Sequence, residues 1–389
     1  MKIGFQIERL DRARGGAETY VHRFAQALLA VGHEVHLFAE DFVSAPQGAI
    51  THIVMRQGLT RAESDWRFAR ASGRAARRAN LDVVVAVGRT FGANVLQPHG
   101  GSLWASRRQN LRLIRNPFLR GGKRVFDWFN PRIRTQGLIE ARQYAAFPPP
   151  EVVAISRMVQ RDIRQFHHVP DERLHVVYNG VDLERFQPAA CKARRAEARR
   201  AWNLADGETC FLIVAHNFRL KGVRELIEAA AWLDRKKSWR VVVVGKGRAW
   251  RYQARAEELG CSDRVVFAGP MDDVVAAYAA SDVYVQPTWY DPCSLVVLEA
   301  LACGRPVITT RFNGASELME DGREGLVLDT PAEVERLADA MSRLMDGDRR
   351  AAMGSAARET AEQHSLERNF RQMMAVFEQA VARKEALKG

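Results

Sequence analysis

Along this chain, short unbroken apolar runs alternate with stretches whose apolar residues recur every three to four positions. Lys2 to Ile7 predicts a strand; from Ala17 to Val31, residues Val21, Phe24, Ala25, Leu28 and Leu29 fall at helical spacing, and Gly32 ends that helix. Glu34 to Ala39 predicts a second strand. Leu81 to Val87 (LDVVVAV) is a continuous apolar run, the kind covered on both faces in a parallel sheet. Val152 to Ile155 and His175 to Tyr178 read as further strands. Strand, helix and strand in succession imply a doubly wound sheet.

The same grammar restarts near Cys210. Strands are expected at Cys210 to Ala215, Arg240 to Val244, Arg264 to Ala268, Val283 to Gln286 and Pro306 to Thr309. Helices are expected at Val223 to Leu233, Arg251 to Leu259 and Ser294 to Ala302. Two independent parallel sheets follow. Between them, Phe186-Gln187-Pro188 and the charged run Lys192 to Arg200 read as a linker leading into a helix, while Pro148 to Pro150 mark a stiff connection. After Pro331 the chain reads as helices, and Phe370, Met373, Met374, Phe377 and Val381 form an apolar stripe on the last, best explained as core packing.

Composition narrows the class. At roughly 150 residues per domain, 389 residues suit two or three domains, and 47% hydrophobic with 27% charged is an ordinary globular balance. No run of about 18 apolar residues exists, and the opening MKIGFQIERLDR lacks a signal-peptide core, so a cytoplasmic protein is expected. The five cysteines, odd in number and without CxxC, suggest buried thiols and neither a disulfide framework nor a zinc site. The net charge of +12 is uneven: residues 1–200 hold 33 Lys+Arg against 18 Asp+Glu, leaving the remainder slightly acidic. Ten cations lie in 101–142, with only Asp127 and Glu140 as acids, interleaved with Trp104, Phe118, Phe126, Trp128 and Phe129. That pattern suits an anionic membrane surface, an anionic glycolipid or nucleic acid, or a merely solvated basic face.

Ligands of open α/β sheets bind at the carboxyl ends of the strands, so chemistry is sought there. Gly15-Gly16 lies between the first strand and first helix, where backbone N–H groups favour an anion. Neither GxGxxG nor GxxxxGK[ST] is present. Lys221-Gly222 sets a cation at a helix start, where the dipole favours anions; that mismatch points to a bound phosphate or a solvated lysine. In Asp291 to Glu299 (DPCSLVVLE), Ser294 can cap a helix and Glu299 falls inside it among apolar residues. A carboxylate there either finds hydroxyl partners, such as ribose or sugar, or faces solvent.

Taken together, Gly15-Gly16-x-Glu18, His99-Gly100, Asn179-Gly180-Val181-Asp182 with Phe186, Arg219-Leu220-Lys221-Gly222, Gly245-Lys246-Gly247, Phe267-x-Gly269, and Asp291 through Glu299 with Gly304-x-Pro306 resemble the family 4 retaining glycosyltransferases. The segment Phe218 to Gly222 looks closest to the branch of bacterial lipopolysaccharide core glucosyltransferases. The resemblance implies the GT-B fold: two Rossmann-like doubly wound domains facing a central cleft. It divides the chain into an acceptor-binding domain, 1–185, and a nucleotide-sugar domain, 186–367, with 368–389 packing back on the first.

By the same resemblance His99, Asp291 and Lys221 are catalytic, His99 and Asp291 facing the transferred sugar and Lys221, assisted by Arg219, neutralising the donor diphosphate. Glu299 would hold ribose hydroxyls. The N–H groups of Ser294 and Leu295 would meet phosphate, Cys293 lines the donor loop, and Gly15 and Gly16 admit the diphosphate. No cofactor or metal is implied. The expected partners are a nucleotide sugar, UDP-glucose by preference, and an anionic glycolipid or saccharide acceptor, with peripheral contact to the inner face of an anionic membrane and no nucleic acid. Fixed cations at the leaving diphosphate stabilise the transition state more than the ground state, and with no evident side-chain nucleophile, front-face attack is favoured. Two other classes stay open: an epimerase of the same fold, and a non-enzymatic polyanion-binding module. The acidic second half and the absence of helix-turn-helix or zinc patterns disfavour the latter.

Overall fold

The computed structural model describes residues 1–11 and 15–387. It divides into two compact units, Met1–Tyr178 with Asn369–Gly389, and Asn179–Arg368. The last two positions of the expected terminal helix, 388 and 389, lie outside the described residues.

The first unit is built on seven parallel strands: β1 Lys2–Gln6, β2 Glu34–Ala39, β3 Ile50–Ile53, β4 Val83–Ala86, β5 Val95–Leu96, β6 Glu151–Ala154 and β7 Leu174–Val176. Their order is β3-β2-β1-β4-β5-β6-β7, so the chain winds outward from β1 in one direction and then in the other. Register sets Ile3 between Val35 and Val83, and all three are buried because both faces of the sheet are covered. Helix Gly16–Ala30 buries Tyr20, Val21, Phe24, Ala25 and Leu28, the stripe its spacing predicts. The terminal helix Leu366–Ala386 joins the same core: Phe370 and Phe377 lie 5.2 and 6.0 Å from the Phe24 ring.

The second unit carries six parallel strands: β8 Thr209–Val214, β9 Trp239–Val244, β10 Val265–Gly269, β11 Val283–Gln286, β12 Val307–Thr310 and β13 Gly325–Leu328, ordered β10-β9-β8-β11-β12-β13. Its core centres on Phe211, Ile213, Trp239, Val241, Val243 and Met341, each at most 1% exposed.

Three features depart from the sequence reading. Strands β3, β5 and β13 and the helices Arg61–Arg78 and Val274–Ala280 were not expected; four of these are seven residues or shorter, too short for periodicity to register. The expected linker at 186–200 is instead part of a helix, Pro188–Ala201, whose Arg199 is buried and donates to the carbonyls of Ala205, Glu208 and Ala280 and to Asp282. One arginine of the charged stretch thus serves as internal bracing while Lys192, Arg194 and Arg200 stay exposed. The basic segment forms three helices, Leu103–Arg112, Pro117–Phe129 and Pro131–Tyr144; Asn116 and Asn130 cap the last two, each followed by proline at the first helical position. All five cysteines are free and buried. Among the described residues, no helix is long and apolar enough to cross a membrane.

Candidate functional site

In the second unit, β8 leads through a turn to helix Val223–Ala230, capped by Gly222 in the left-handed region at φ 81°. A Cβ there would lie 2.1 Å from the Pro287 carbonyl oxygen, so the tight approach of turn to strand end requires glycine. Lys221, beside it, forms an ion pair with Asp291, 70 positions later. Gln286 Nε2 donates to the same Asp291 oxygen at 2.8 Å, and Gln286 Oε1 accepts from Tyr284 at 2.8 Å and Ser294 Oγ at 3.1 Å. A lysine ill-matched to its own helix is therefore balanced by a carboxylate from another loop. Arg219 lies exposed on the same turn.

The loop 291–294 is held by neighbouring elements. Ser294 N–H donates to Asn313 Oδ1 at 3.3 Å, whereas Leu295 N–H, at the start of helix Leu295–Ala302, meets no protein acceptor among the described residues. The Cys293 carbonyl accepts from Asn179 Nδ2 at 2.9 Å, and burial pushes the Cys293 thiol up to about 12, which keeps it protonated. Glu299 is 9% exposed, and its Oε2 accepts the Tyr278 hydroxyl at 3.0 Å. Burial, and then the Glu299 charge, hold that phenol well above its ordinary pKa, so it remains a donor. The carboxylate among apolar neighbours has a partner inside the protein. Gln286, Asn313, Tyr278 and Tyr284 were missed by sequence reasoning: Gln286 and the two tyrosines sit in or beside apolar runs and Asn313 in a polar loop, and each is legible only once the fold supplies its partner.

The first unit places His99 just past β5. It is half-buried, its ring lies 4.5 Å from that of Tyr20, and Nε2, itself buried, has no hydrogen-bond partner among the described residues. Burial pushes its pKa down to about 3, so the imidazole is neutral at any physiological pH. His99 lines a cavity of about 170 Å³ with Glu8, Glu18, Arg89 and Glu140. Glu140 is a hub: it accepts from Leu103 N–H at 3.0 Å and pairs with Arg89 at 3.2 Å and His167 at 3.1 Å. Burial raises its pKa, but the His167 bond, Arg89 and the Leu103 amide outweigh burial and leave it low. Its signal was faint, one of two acids in a basic segment. A second cavity of about 740 Å³ shares Glu8, Glu18 and Arg89 and adds Asp65, which accepts from Arg132 and Gln136, each at 2.9 Å. Gly15 caps the first helix in extended backbone and Gly16 begins it; residues 12–14, ahead of them, lie outside the described residues.

Residues 14–185 match the family model described as Glycosyltransferase Family 4, and residues 194–360 match that of Glycosyl transferases group 1. The chain belongs to the family 4 glycosyltransferases. Relatives of this glycosyltransferase include the D-inositol 3-phosphate glycosyltransferase of Corynebacterium urealyticum, 32% identical over 56% of this chain and 53% of that protein. The chain spans about half the length of the curated relatives it matches. Among solved structures, WaaG, a glycosyltransferase involved in lipopolysaccharide biosynthesis, superposes with a TM-score of 0.83 at 20% identity, over 96% of this chain and 99% of that one. Anabaena Alr3699/HepE in complex with UDP-glucose gives 0.73 at 20% identity, over 97% and 100%. These likenesses establish the fold, and two Rossmann-like parallel-sheet units make this glycosyltransferase a GT-B protein.

Proposed function

We propose that this chain transfers a hexose, glucose by preference, from a UDP-sugar to an anionic glycolipid or saccharide such as a lipopolysaccharide core, with retention of anomeric configuration and without a metal. The observation that carries this reading is the convergence of Lys221, Asp291 and Gln286 beside the N-terminus of helix Leu295–Ala302, with Glu299 farther along that helix. Binding of a diphosphate draws Lys221 from Asp291 to the phosphate oxygens. Asp291 is then released toward the sugar, Leu295 N–H meets phosphate with the helix dipole behind it, and Glu299 takes ribose hydroxyls. Arg219, on the same turn as Lys221, assists at the phosphates. In the anomeric step the C–O bond to the diphosphate breaks as the acceptor oxygen adds from the same face, and the leaving phosphate oxygen takes the acceptor's proton. His99, neutral, serves as a hydrogen-bond partner to the sugar and not as an acid.

The test is incubation with UDP-glucose and candidate saccharide acceptors, measuring UDP release and the anomeric configuration of the product by NMR. UDP with an α-linked product supports the reading. An isomerised nucleotide sugar without UDP would make the protein an epimerase.

Peripheral membrane contact is part of the proposal, placing the protein on the inner face of the cytoplasmic membrane. Helix Pro117–Phe129 buries none of its residues; Phe118, Leu119, Val125, Phe126, Trp128 and Phe129 are 59–88% exposed along one side. On the other side Asp127 pairs with Lys123 and with Arg107 of the preceding helix. An apolar face turned to solvent and flanked by Arg120, Lys123 and Arg124 suits an interfacial helix. Burying each large side chain contributes about 1.5–3 kcal/mol and each cation about 1 kcal/mol near anionic lipid. Wild-type protein should sediment with phosphatidylglycerol vesicles, and a Phe126→Ser, Trp128→Ser, Phe129→Ser variant should not. Equal sedimentation of the two would remove this helix from the membrane.

A further inference from the structure

Among the described residues the imidazole of His99 receives no side-chain hydrogen bond, so its direction is set by what it packs on. That neighbour is Tyr20, with ring centroids 4.5 Å apart and planes inclined at 46°. The Tyr20 ring is fixed at its far end. Its hydroxyl accepts from Gln97 Nε2 at 3.1 Å and donates to Asn369 Oδ1 at 3.2 Å, both buried. Asn369 Nδ2 in turn donates to the Tyr178 carbonyl at 2.7 Å. Tyr178 and Asn369 are the last residue before the chain leaves the first unit and the first after it returns. Gln97 lies two positions before His99 on the same loop, so the phenol also ties down the peptide that carries the imidazole.

We propose that Tyr20 and Asn369 are positioning residues that set the direction of His99 Nε2, anchoring it to the point where the two chain crossings are bonded together. The inference rests on the reading that His99 meets the transferred sugar. Three observations carry it: an enclosed nitrogen without a protein partner, a single aromatic neighbour, and a phenol whose two hydrogen bonds end on a loop residue and a crossing residue. Burial holds the Tyr20 hydroxyl well above its ordinary pKa, so it donates to Asn369 throughout the working pH range. A neutral imidazole acting as a hydrogen-bond partner depends on angle more than on charge, and a displacement of about 1 Å in a catalytic group can cost on the order of a hundredfold in rate.

The experiment compares wild type with Tyr20→Phe, which keeps the ring and its ring current and loses the hydroxyl, and Asn369→Leu, which keeps the volume and loses both bonds. Imidazole carbon–proton NMR, with the His99 signal assigned by its absence in His99→Gln, reads ring placement directly. Steady-state kinetics with UDP-glucose read its consequence. Both variants should move the His99 resonance in the same direction and lower kcat about tenfold, with the donor KM within twofold of wild type. An unmoved resonance in the folded Tyr20→Phe protein overturns the proposal, as does a raised donor KM with unchanged kcat. If wild type transfers no sugar, the transferase reading fails, while the resonance still decides whether Tyr20 and Asn369 place the imidazole.

Discussion

The strand ends of the two units solve the problem of buried polarity in opposite ways. In the second, the groups assigned to the donor are paired with one another: Lys221 with Asp291, Asp291 with Gln286, Gln286 with Tyr284 and Ser294, Glu299 with Tyr278. In the first, His99 keeps an orphan nitrogen and the neighbouring cavities are lined by charges of both signs. A site for a ligand of fixed chemistry, such as a nucleoside diphosphate, can be preassembled from mutual partners that the ligand displaces. A site for a polyhydroxy acceptor needs donors and acceptors left facing open volume.

The contrast can be broken most severely at Arg199, where internal pairing in the second unit is densest. Arg199→Ala leaves Asp282 and three buried carbonyls short of a donor, and removing one partner of a buried pair costs about 3–5 kcal/mol. Arg195 still bonds Asp282 at 2.6 Å, so a loss near 3 kcal/mol is expected in urea unfolding. Arg134→Ala, an exposed arginine of the first unit, should leave the unfolding midpoint unmoved.

Next come the donor residues. Loss of a charged hydrogen-bond partner costs about 1.5–3 kcal/mol, or roughly 10- to 150-fold in affinity. Lys221→Ala should weaken UDP by that factor and uridine hardly at all; equal losses in calorimetry would mean that the lysine supports the loop through Asp291 and never reaches phosphate. Glu299→Ala should weaken UDP and uridine alike, since both carry ribose. Wild-type UDP affinity in that variant would reduce Glu299 to a partner for Tyr278.

Near neutral pH the smallest effect belongs to His99; it grows only on acidification and sharpens the first unit's side of the comparison. Between about pH 6.5 and 3 the unfolded chain binds a proton at this imidazole and the folded chain does not, so stability falls as pH falls. The slope is at most about 1.4 kcal/mol per pH unit; it should be lost in His99→Gln and so appear as the difference between wild type and that variant. Glu140, whose pKa is depressed, adds loss in the same direction once pH enters the ordinary carboxylate range, where the unfolded chain takes up a proton and the folded carboxylate does not. Identical pH profiles for wild type and His99→Gln would place the ring in water.

Much of the candidate site was legible because its residues sit at strand ends and helix starts, positions that local pattern reveals. Lys221, Asp291 and Glu299 stand out at such positions, whereas His99 was singled out only by the family resemblance. What could not be read were the partners. Glu299 was assigned hydroxyls from a ligand because nothing in DPCSLVVLE offers one, and the fold supplies Tyr278 from another helix. Ser294 N–H was assigned to phosphate, and Asn313 from the loop after β12 accepts it.

The sequence by itself determined the two parallel sheets, the amphipathic stripes of the first and last helices, and the identity of the buried thiols. Apolar runs must leave water, and helical or extended spacing decides locally which face does so. Only the tertiary structure decided that Arg199, within the charged stretch 192–200, braces the second unit from within while the aromatics of Pro117–Phe129 face outward. Charge and hydropathy state what burial would cost, and partners that offset that cost lie as far as 70 to 83 positions away along the chain, brought near by the crossing of strands and helices.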